Sequence, residues 1–116
     1  MLITFCKSKI ANATVTEAQL YYEGSITIDE AVIKAAGIVP GEKVEVLNVN
    51  NGSRVETYVI AGKANAGQIC LNGPAARLGF VGDTLIILSY GLFDEKEAKA
   101  ARTKVVYLDA QNRIKN

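Results

Sequence analysis

The residues best suited to chemistry sit early in the chain, in Tyr21-Tyr22-Glu23-Gly24-Ser25. A serine hydroxyl can attack the carbonyl just before it and turn that peptide bond into an ester. Glycine at the preceding position lowers the steric barrier, since it tolerates strained backbone and close approach. Elimination from the ester leaves dehydroalanine, and hydrolysis converts that into a pyruvoyl group, a ketone at a new amino terminus. Gly24-Ser25 precedes the β-branched run Ile26-Thr27-Ile28. A plain turn between two strands is the competing reading, and by physics alone it ranks first.

Other routes to catalysis are narrowed by composition. The chain has no histidine. That excludes Ser-His-Asp and Cys-His catalysis and nearly all zinc hydrolase sites. Proton work falls to Tyr, Lys, Asp, Glu or a substrate group. The two cysteines, Cys6 and Cys70, are too few for a disulfide framework or a metal cluster. Both sit in apolar contexts, where a thiol acts as a small hydrophobe, and a reducing cytoplasm is the simplest compartment. Thirteen Lys and Arg against twelve Asp and Glu give no pull toward nucleic acid or acidic lipid. No apolar run is long enough to span a membrane, and the start lacks the pattern of a signal peptide. At 116 residues the chain is read as one domain, 1–116, with a core that needs no staples.

The elements that must position Ser25 are mostly short strands. Leu2 to Ile10 reads as a strand, Thr14 to Thr16 as an extended piece leading to Tyr22, and Ser25 to Ile28 as a strand. Asp29 is a natural N-cap for a helix over Glu30 to Ala36, with Gly37 as its stop. Lys43 to Val49 and Arg54 to Ala61 form a hairpin through Asn51-Gly52, with Val44, Val46 and Asn48 on one face. A loop over Gly62 to Gly67 leads to a short strand, Gln68 to Leu71, which ends at Asn72-Gly73-Pro74. One helical turn follows over Ala75 to Leu78, then a strand over Thr84 to Tyr90. A charged helix over Asp94 to Ala101, a strand over Lys104 to Leu108 and a polar tail from Asp109 to Asn116 complete the chain.

Ile38 to Val46 resembles Gly79 to Ile87: a small helix, a Gly-acid turn, then a strand with alternate apolar residues. This fits two interlocked ββαβ halves. Many short strands with few helices point to a closed barrel of about six or seven strands.

Several stretches together resemble the aspartate 1-decarboxylase family, small pyruvoyl-dependent enzymes that make β-alanine for pantothenate and coenzyme A. They are Ser8-Lys9-Ile10, Ala13 to Thr16, Tyr22 to Asp29, Asn50-Asn51-Gly52, Arg54 with Glu56-Thr57-Tyr58, and Cys70 to Arg77. They run in order, with matching spacing, over nearly the whole chain. The resemblance implies a mainly β fold, a double-psi β-barrel with short helices, and a cytoplasmic homotetramer with sites at subunit boundaries. It implies self-cleavage into a β chain, 1–24, and an α chain, 25–116, with room for a maturation partner. Ser25 then becomes the covalent pyruvoyl group that forms a Schiff base with L-aspartate, and neither metal nor pyridoxal phosphate is required. Tyr58 corresponds to the proton donor. Thr57 and Gly73-Pro74-Ala75 correspond to substrate contacts, Arg54 and Lys9 to basic residues of the cleft, and Gly24, Tyr22 and Asn72 to residues that shape the site and its processing.

The chain departs from that pattern in places. Ala11 stands where many members carry histidine, Pro74 stands where alanine is frequent and removes one backbone donor, and the tail is shorter than in some relatives. The residues taken singly also have plainer readings. Tyr58 reads as a packed strand tyrosine, Arg54 as a solvated hairpin arginine, Lys9 as a snorkelling lysine and Asn72-Gly73 as a tight turn. In a regular strand Arg54 and Tyr58 share a face about 13 Å apart, and Thr57 faces the other way. A site using Thr57 and Tyr58 together needs a twist or the strand's edge. Three other functions compete. A binding module without chemistry would leave Gly24-Ser25 intact. A swapped-hairpin DNA-binding protein wants a basic face. A pyridoxal-phosphate enzyme wants a longer chain.

Overall fold

In the computed structural model, which describes residues 1–115, the apolar alternation of the sequence becomes strands around one core. The elements are β1 (Leu2–Thr14), β2 (Glu17–Gln19), β3 (Ser25–Asp29), α1 (Glu30–Ala36), β4 (Lys43–Asn48), β5 (Arg54–Gly62), β6 (Ile69–Asn72), a 3₁₀ segment (Gly73–Leu78), β7 (Thr84–Asp94), α2 (Glu95–Ala100) and β8 (Lys104–Tyr107). The sheet order is β2-β6-β3-β5-β4-β7-β1-β8. The described residues thus carry eight strands in all, of which the barrel itself uses the expected number. The sheet closes because the chain after β1 crosses to β6: Thr16 N–H donates to the Ile69 carbonyl at 2.8 Å, and Ile69 N–H to Thr16 Oγ1 at 3.0 Å. Counting β1 and β2 as one bent strand, the closed circuit has six members, and β8 lies outside it, parallel to β1.

The resemblance between Ile38–Val46 and Gly79–Ile87 is structural as well. In each copy a glycine takes positive φ, Gly41 at 89° and Gly82 at 96°. Each turn docks the same way: Gly41 N–H donates to the Val59 carbonyl and Gly82 N–H to the Val15 carbonyl. The acid after each glycine accepts the N–H three residues back, Glu42 from Val39 and Asp83 from Phe80. The strands that follow bury matching residues, Val44, Val46 and Asn48 on β4 and Leu85, Ile87 and Ser89 on β7. The last of each trio reaches the acid of the other copy: Asn48 Nδ2 donates to Asp83 Oδ2 at 2.9 Å, and Ser89 Oγ donates to Glu42 Oε2. Two interlocked halves, held by reciprocal polar locks around an apolar centre, make this a mainly β, double-psi β-barrel with short helices.

Local signals explain the helices. Asp29 caps α1 by accepting from Ala31 N–H at 2.8 Å, and Gly37 ends it at φ 71°. The same carboxylate takes the N–H groups of Asn65 and Gly67, so the cap also fixes the loop before β6. Asp94 and Glu97 form a capping box on α2.

β2 forms at Glu17–Gln19 rather than over Thr14 to Thr16, β6 and the 3₁₀ segment shift by one or two residues, and three larger differences from the sequence reading have clear causes. β1 continues past Ile10 to Thr14 because a register irregularity between Ile10 and Ala13, with Asn12 at φ 64°, absorbs the break. β7 runs past Tyr90 to Asp94 because Leu2 to Phe5 keep it paired through Gly91. The polar tail is anchored. Asn112 is buried and bonds the backbone of Thr14 at both N–H and carbonyl, and also the Gly67 carbonyl. Asn116 lies outside the described residues.

The Glu42 lock predicts a pH dependence. Burial raises the Glu42 pKa, but hydrogen bonds from Ser89, Val39 N–H and Lys7, with the Lys7 charge, outweigh it and hold it below the ordinary carboxylate value. A carboxyl depressed on folding contributes stability that is present above its unfolded pKa and lost as pH falls through the folded one. Glu42→Gln is therefore expected to flatten the acid limb of unfolding stability, measured by urea titrations from neutral pH downward. A variant whose acid limb matches the parent's would show that the lock carries no such linkage.

Candidate active site

Around Ser25 the backbone is arranged by the β3–β6 pair, which sets Ser25 opposite Asn72 and Thr27 opposite Cys70. Alternate residues share a face. Ile26, Ile28, Ile69 and Leu71 therefore turn to the core, and Ser25, Thr27, Cys70 and Asn72 turn together to the other side. Ser25 has no exposed surface. Its Oγ donates to the Glu23 carbonyl at 3.2 Å and accepts from Asn72 Nδ2 at 2.9 Å. A second Asn72 Nδ2 bond goes to Thr27 Oγ1 at 2.9 Å.

Gly73 follows Asn72 at φ 66°. A Cβ there would lie 2.7 Å from the Tyr22 carbonyl oxygen and 2.9 Å from both N and Cα of Gly24. The start of the 3₁₀ segment is thus pressed against the backbone that leads into the Gly24-Ser25 bond, and only glycine fits. Pro74 closes the other side, 3.5 Å from the position of a Cβ on Gly24.

A cavity of about 300 Å³ opens beside this bond, lined by Gly24, Thr57, Tyr58, Asn72, Pro74 and Ala75 among others. Thr57 and Tyr58 share it despite pointing to opposite faces of β5. The strand pairing explains why: β5 pairs with β4 up to Tyr58 and with β3 only from Val59 onward. At Thr57-Tyr58 the edge of β5 toward β3 is open, and the cavity lies against that edge.

Not every expected residue converges here. Arg54 sits at the start of β5 with its guanidinium on Glu45, Nη1 to Oε1 at 2.7 Å, and Tyr90 donates to the same carboxylate at 3.1 Å. Lys9 lies on β1 between Leu88 and Val105 and does not line this cavity. Tyr22 is half-exposed on the approach to Gly24, and its carbonyl is the atom that packs on Gly73. Ala11 is buried on β1. Two contributors escaped the sequence reading. Thr27 and Cys70 both bond Asn72, and the signal was the alternate polar pattern Ser25-x-Thr27 facing Cys70-x-Asn72. Among the described residues no cluster of His, Cys, Asp and Glu suits a metal ion, and no helix is long and apolar enough to cross a membrane.

Comparison with known proteins identifies the lineage of this arrangement. The aspartate decarboxylase family model matches residues 1–115. The chain belongs to the aspartate decarboxylase family. It is an enzyme of the carboxy-lyase class. Among its relatives, the aspartate 1-decarboxylase of Acetivibrio thermocellus is 59% identical over 116 residues, covering 100% of this chain and 92% of the relative. The proteins of the same name from Carboxydothermus hydrogenoformans and Leptospira biflexa are 56% and 53% identical, covering 90% and 98% of those relatives.

The packing at Gly73 gives a direct test. Gly73→Ala adds a Cβ where backbone already lies, at a positive φ that alanine resists. The expected loss is about 1–3 kcal/mol of stability, with Gly24 displaced. Thermal unfolding and nuclear magnetic resonance of the Gly24 amide would read both. An unperturbed Gly24 signal with parental stability would contradict the close packing.

Proposed function

We propose that this protein decarboxylates L-aspartate at its α-carboxylate to β-alanine and CO₂, using a pyruvoyl group that it makes from Ser25 by cleaving itself after Gly24. The observation that carries the reading is the Gly24-Ser25 bond itself, held by Asn72 and Gly73 at the wall of a cavity that Thr57 and Tyr58 share, in a chain of the aspartate decarboxylase family.

Cleavage needs only the chain and water. Ser25 Oγ attacks the Gly24 carbonyl carbon, the C–N bond breaks, and the hydroxyl proton ends on the freed nitrogen. The Cα proton of Ser25 then leaves to solvent and the Cβ–Oγ bond breaks, giving a Gly24 carboxylate and dehydroalanine. Water adds, ammonia leaves, and a ketone remains. The Ser25 hydroxyl proton already points at the Glu23 carbonyl, and one lone pair takes the Asn72 N–H, which leaves the other for the attack. Asn72 Nδ2 then faces the oxygen on which negative charge grows as Cβ–Oγ breaks.

The same surroundings suit a pyruvoyl group. A carbonyl is an acceptor only, and Asn72 Nδ2 is a donor already directed at position 25. When present, that group supplies the electron sink that loss of CO₂ requires. The chain's own residues do the rest. Tyr58 brings a phenol to the cavity wall as the proton donor to the product carbon. Thr57 and the Gly73-Pro74-Ala75 backbone hold the substrate against the wall. Arg54 takes a substrate carboxylate after exchanging it for Glu45, through two parallel hydrogen bonds.

Lys9 and Arg54 lie away from the cavity in a single copy, which supports a homotetramer whose sites are completed across subunit boundaries. A cytoplasmic location and one domain spanning residues 1–116, cut into chains 1–24 and 25–116, complete the reading, and a maturation partner fits beside it.

Two variants test the reading together. Ser25→Ala is expected to stay one chain, keep its fold and make no β-alanine. Tyr58→Phe is expected to cleave normally yet lose about 100-fold or more in kcat, the scale of a removed proton donor. β-Alanine produced by Ser25→Ala without added pyridoxal phosphate would defeat the mechanism.

A further inference from the structure

Asn72 spends its whole side chain on the tile formed with Ser25, Thr27 and Cys70. Its Nδ2 donates to Ser25 Oγ and Thr27 Oγ1, each at 2.9 Å, and its Oδ1 accepts from the Cys70 thiol at 3.1 Å. An asparagine amide has nearly the same shape in either orientation, so the chemistry of its neighbours decides which end faces which group. Ser25 has committed its proton to the Glu23 carbonyl and can only accept from Asn72. Cys70 donates at the opposite end. The two ends agree, and both lie in buried surroundings, with Cys70 1% and Asn72 2% exposed.

We propose that Cys70 is a positioning residue for cleavage at Gly24-Ser25, acting through Asn72 by holding the amide with Nδ2 toward Ser25 Oγ. The proposal rests on the self-cleavage reading above. Reversal of the amide would place Oδ1 against Ser25 and draw the hydroxyl proton away from Glu23. The oxygen that must leave Cβ would then face an acceptor instead of a donor. The cost falls on elimination more than on attack, because elimination is the step that puts negative charge on that oxygen. The thiol is suited to a donor's role. Burial, and the negative charge of Glu17, which stands opposite Cys70 across the β2–β6 pair, push the Cys70 thiol pKa up and keep its proton in place. Cys70 is therefore more than the small hydrophobe its apolar context suggests.

The test follows newly made chains from a pulse of cell-free synthesis on denaturing gels, for the parent, Cys70→Ser, Cys70→Ala and Cys70→Val. Serine keeps a donor, alanine leaves a small void, and valine fills the space without a donor. Cys70→Ser is expected to cleave at close to the parental rate. Both apolar variants are expected to cleave about fivefold or more slowly, the weight of one orienting hydrogen bond. They should also accumulate an ester that hydroxylamine splits, releasing a long chain with a free Ser25 amine. Parental rates in either apolar variant would overturn the proposal, and so would a Cys70→Ser variant as slow as Cys70→Ala. A parental chain that stays whole both in this synthesis and when isolated from cells that make it would instead remove the self-cleavage reading, which keeps the two failures apart.

Discussion

The antiparallel pairing of β3 with β6 sets Ser25 opposite Asn72 and gives the two faces of this ribbon different tasks. Ile26, Ile28, Ile69 and Leu71 on the inner face are essentially inaccessible to solvent. Each contributes about 1.5–3 kcal/mol by burial, so the four together contribute about 6–12 kcal/mol. A single hydrogen bond on the outer face is worth about 1 kcal/mol. The apolar face therefore sets the register, and the polar face inherits it. A slip of one residue would drive Ser25 and Asn72 into the core and turn the isoleucines outward. The serine is thus placed by hydrophobic burial that it takes no part in.

The pseudo-symmetric halves show where this site departs from a purely structural one. Asp29 ends β3 and caps α1, while Asn72 ends β6 and precedes the 3₁₀ segment without a side-chain cap bond. Asn72 turns instead across the ribbon to Ser25 and Thr27. The segment after it is a 3₁₀ helix opened by Gly73 and Pro74, whose tight backbone lies against Gly24. One half uses its strand end to start a helix. The other gives up the cap to position a serine.

Much of this was legible in the sequence, because local rules governed it. Asp29, Gly37 and the Asn51-Gly52 hairpin signal mark α1 and the β4–β5 hairpin, and the Gly-acid repeat marks the two halves. The grouping of Gly24, Thr57, Tyr58, Asn72, Pro74 and Ala75 around one cavity came through the family resemblance. What stayed hidden depended on long-range pairing. The strand patterns stop at Ile10 and Tyr90, yet β1 and β7 carry each other past both. Asn112 looks like tail, yet it bonds the backbone at Thr14, 98 residues away. Thr57 and Tyr58 share a wall because β5 changes partners between Tyr58 and Val59, which no single strand's pattern reveals. Cys70 passes for a hydrophobe because its partner, Asn72, becomes visible only once the side chains are in place.

The covalent state of the Gly24-Ser25 bond tests the account most directly, by intact-mass analysis of the purified protein under denaturing conditions with amino-terminal sequencing of its products. The expected result is two chains, a short one ending at Gly24 and a long one starting at position 25 that resists sequencing because its terminus is a ketone. A single chain of full mass that nonetheless turns aspartate into β-alanine would contradict it.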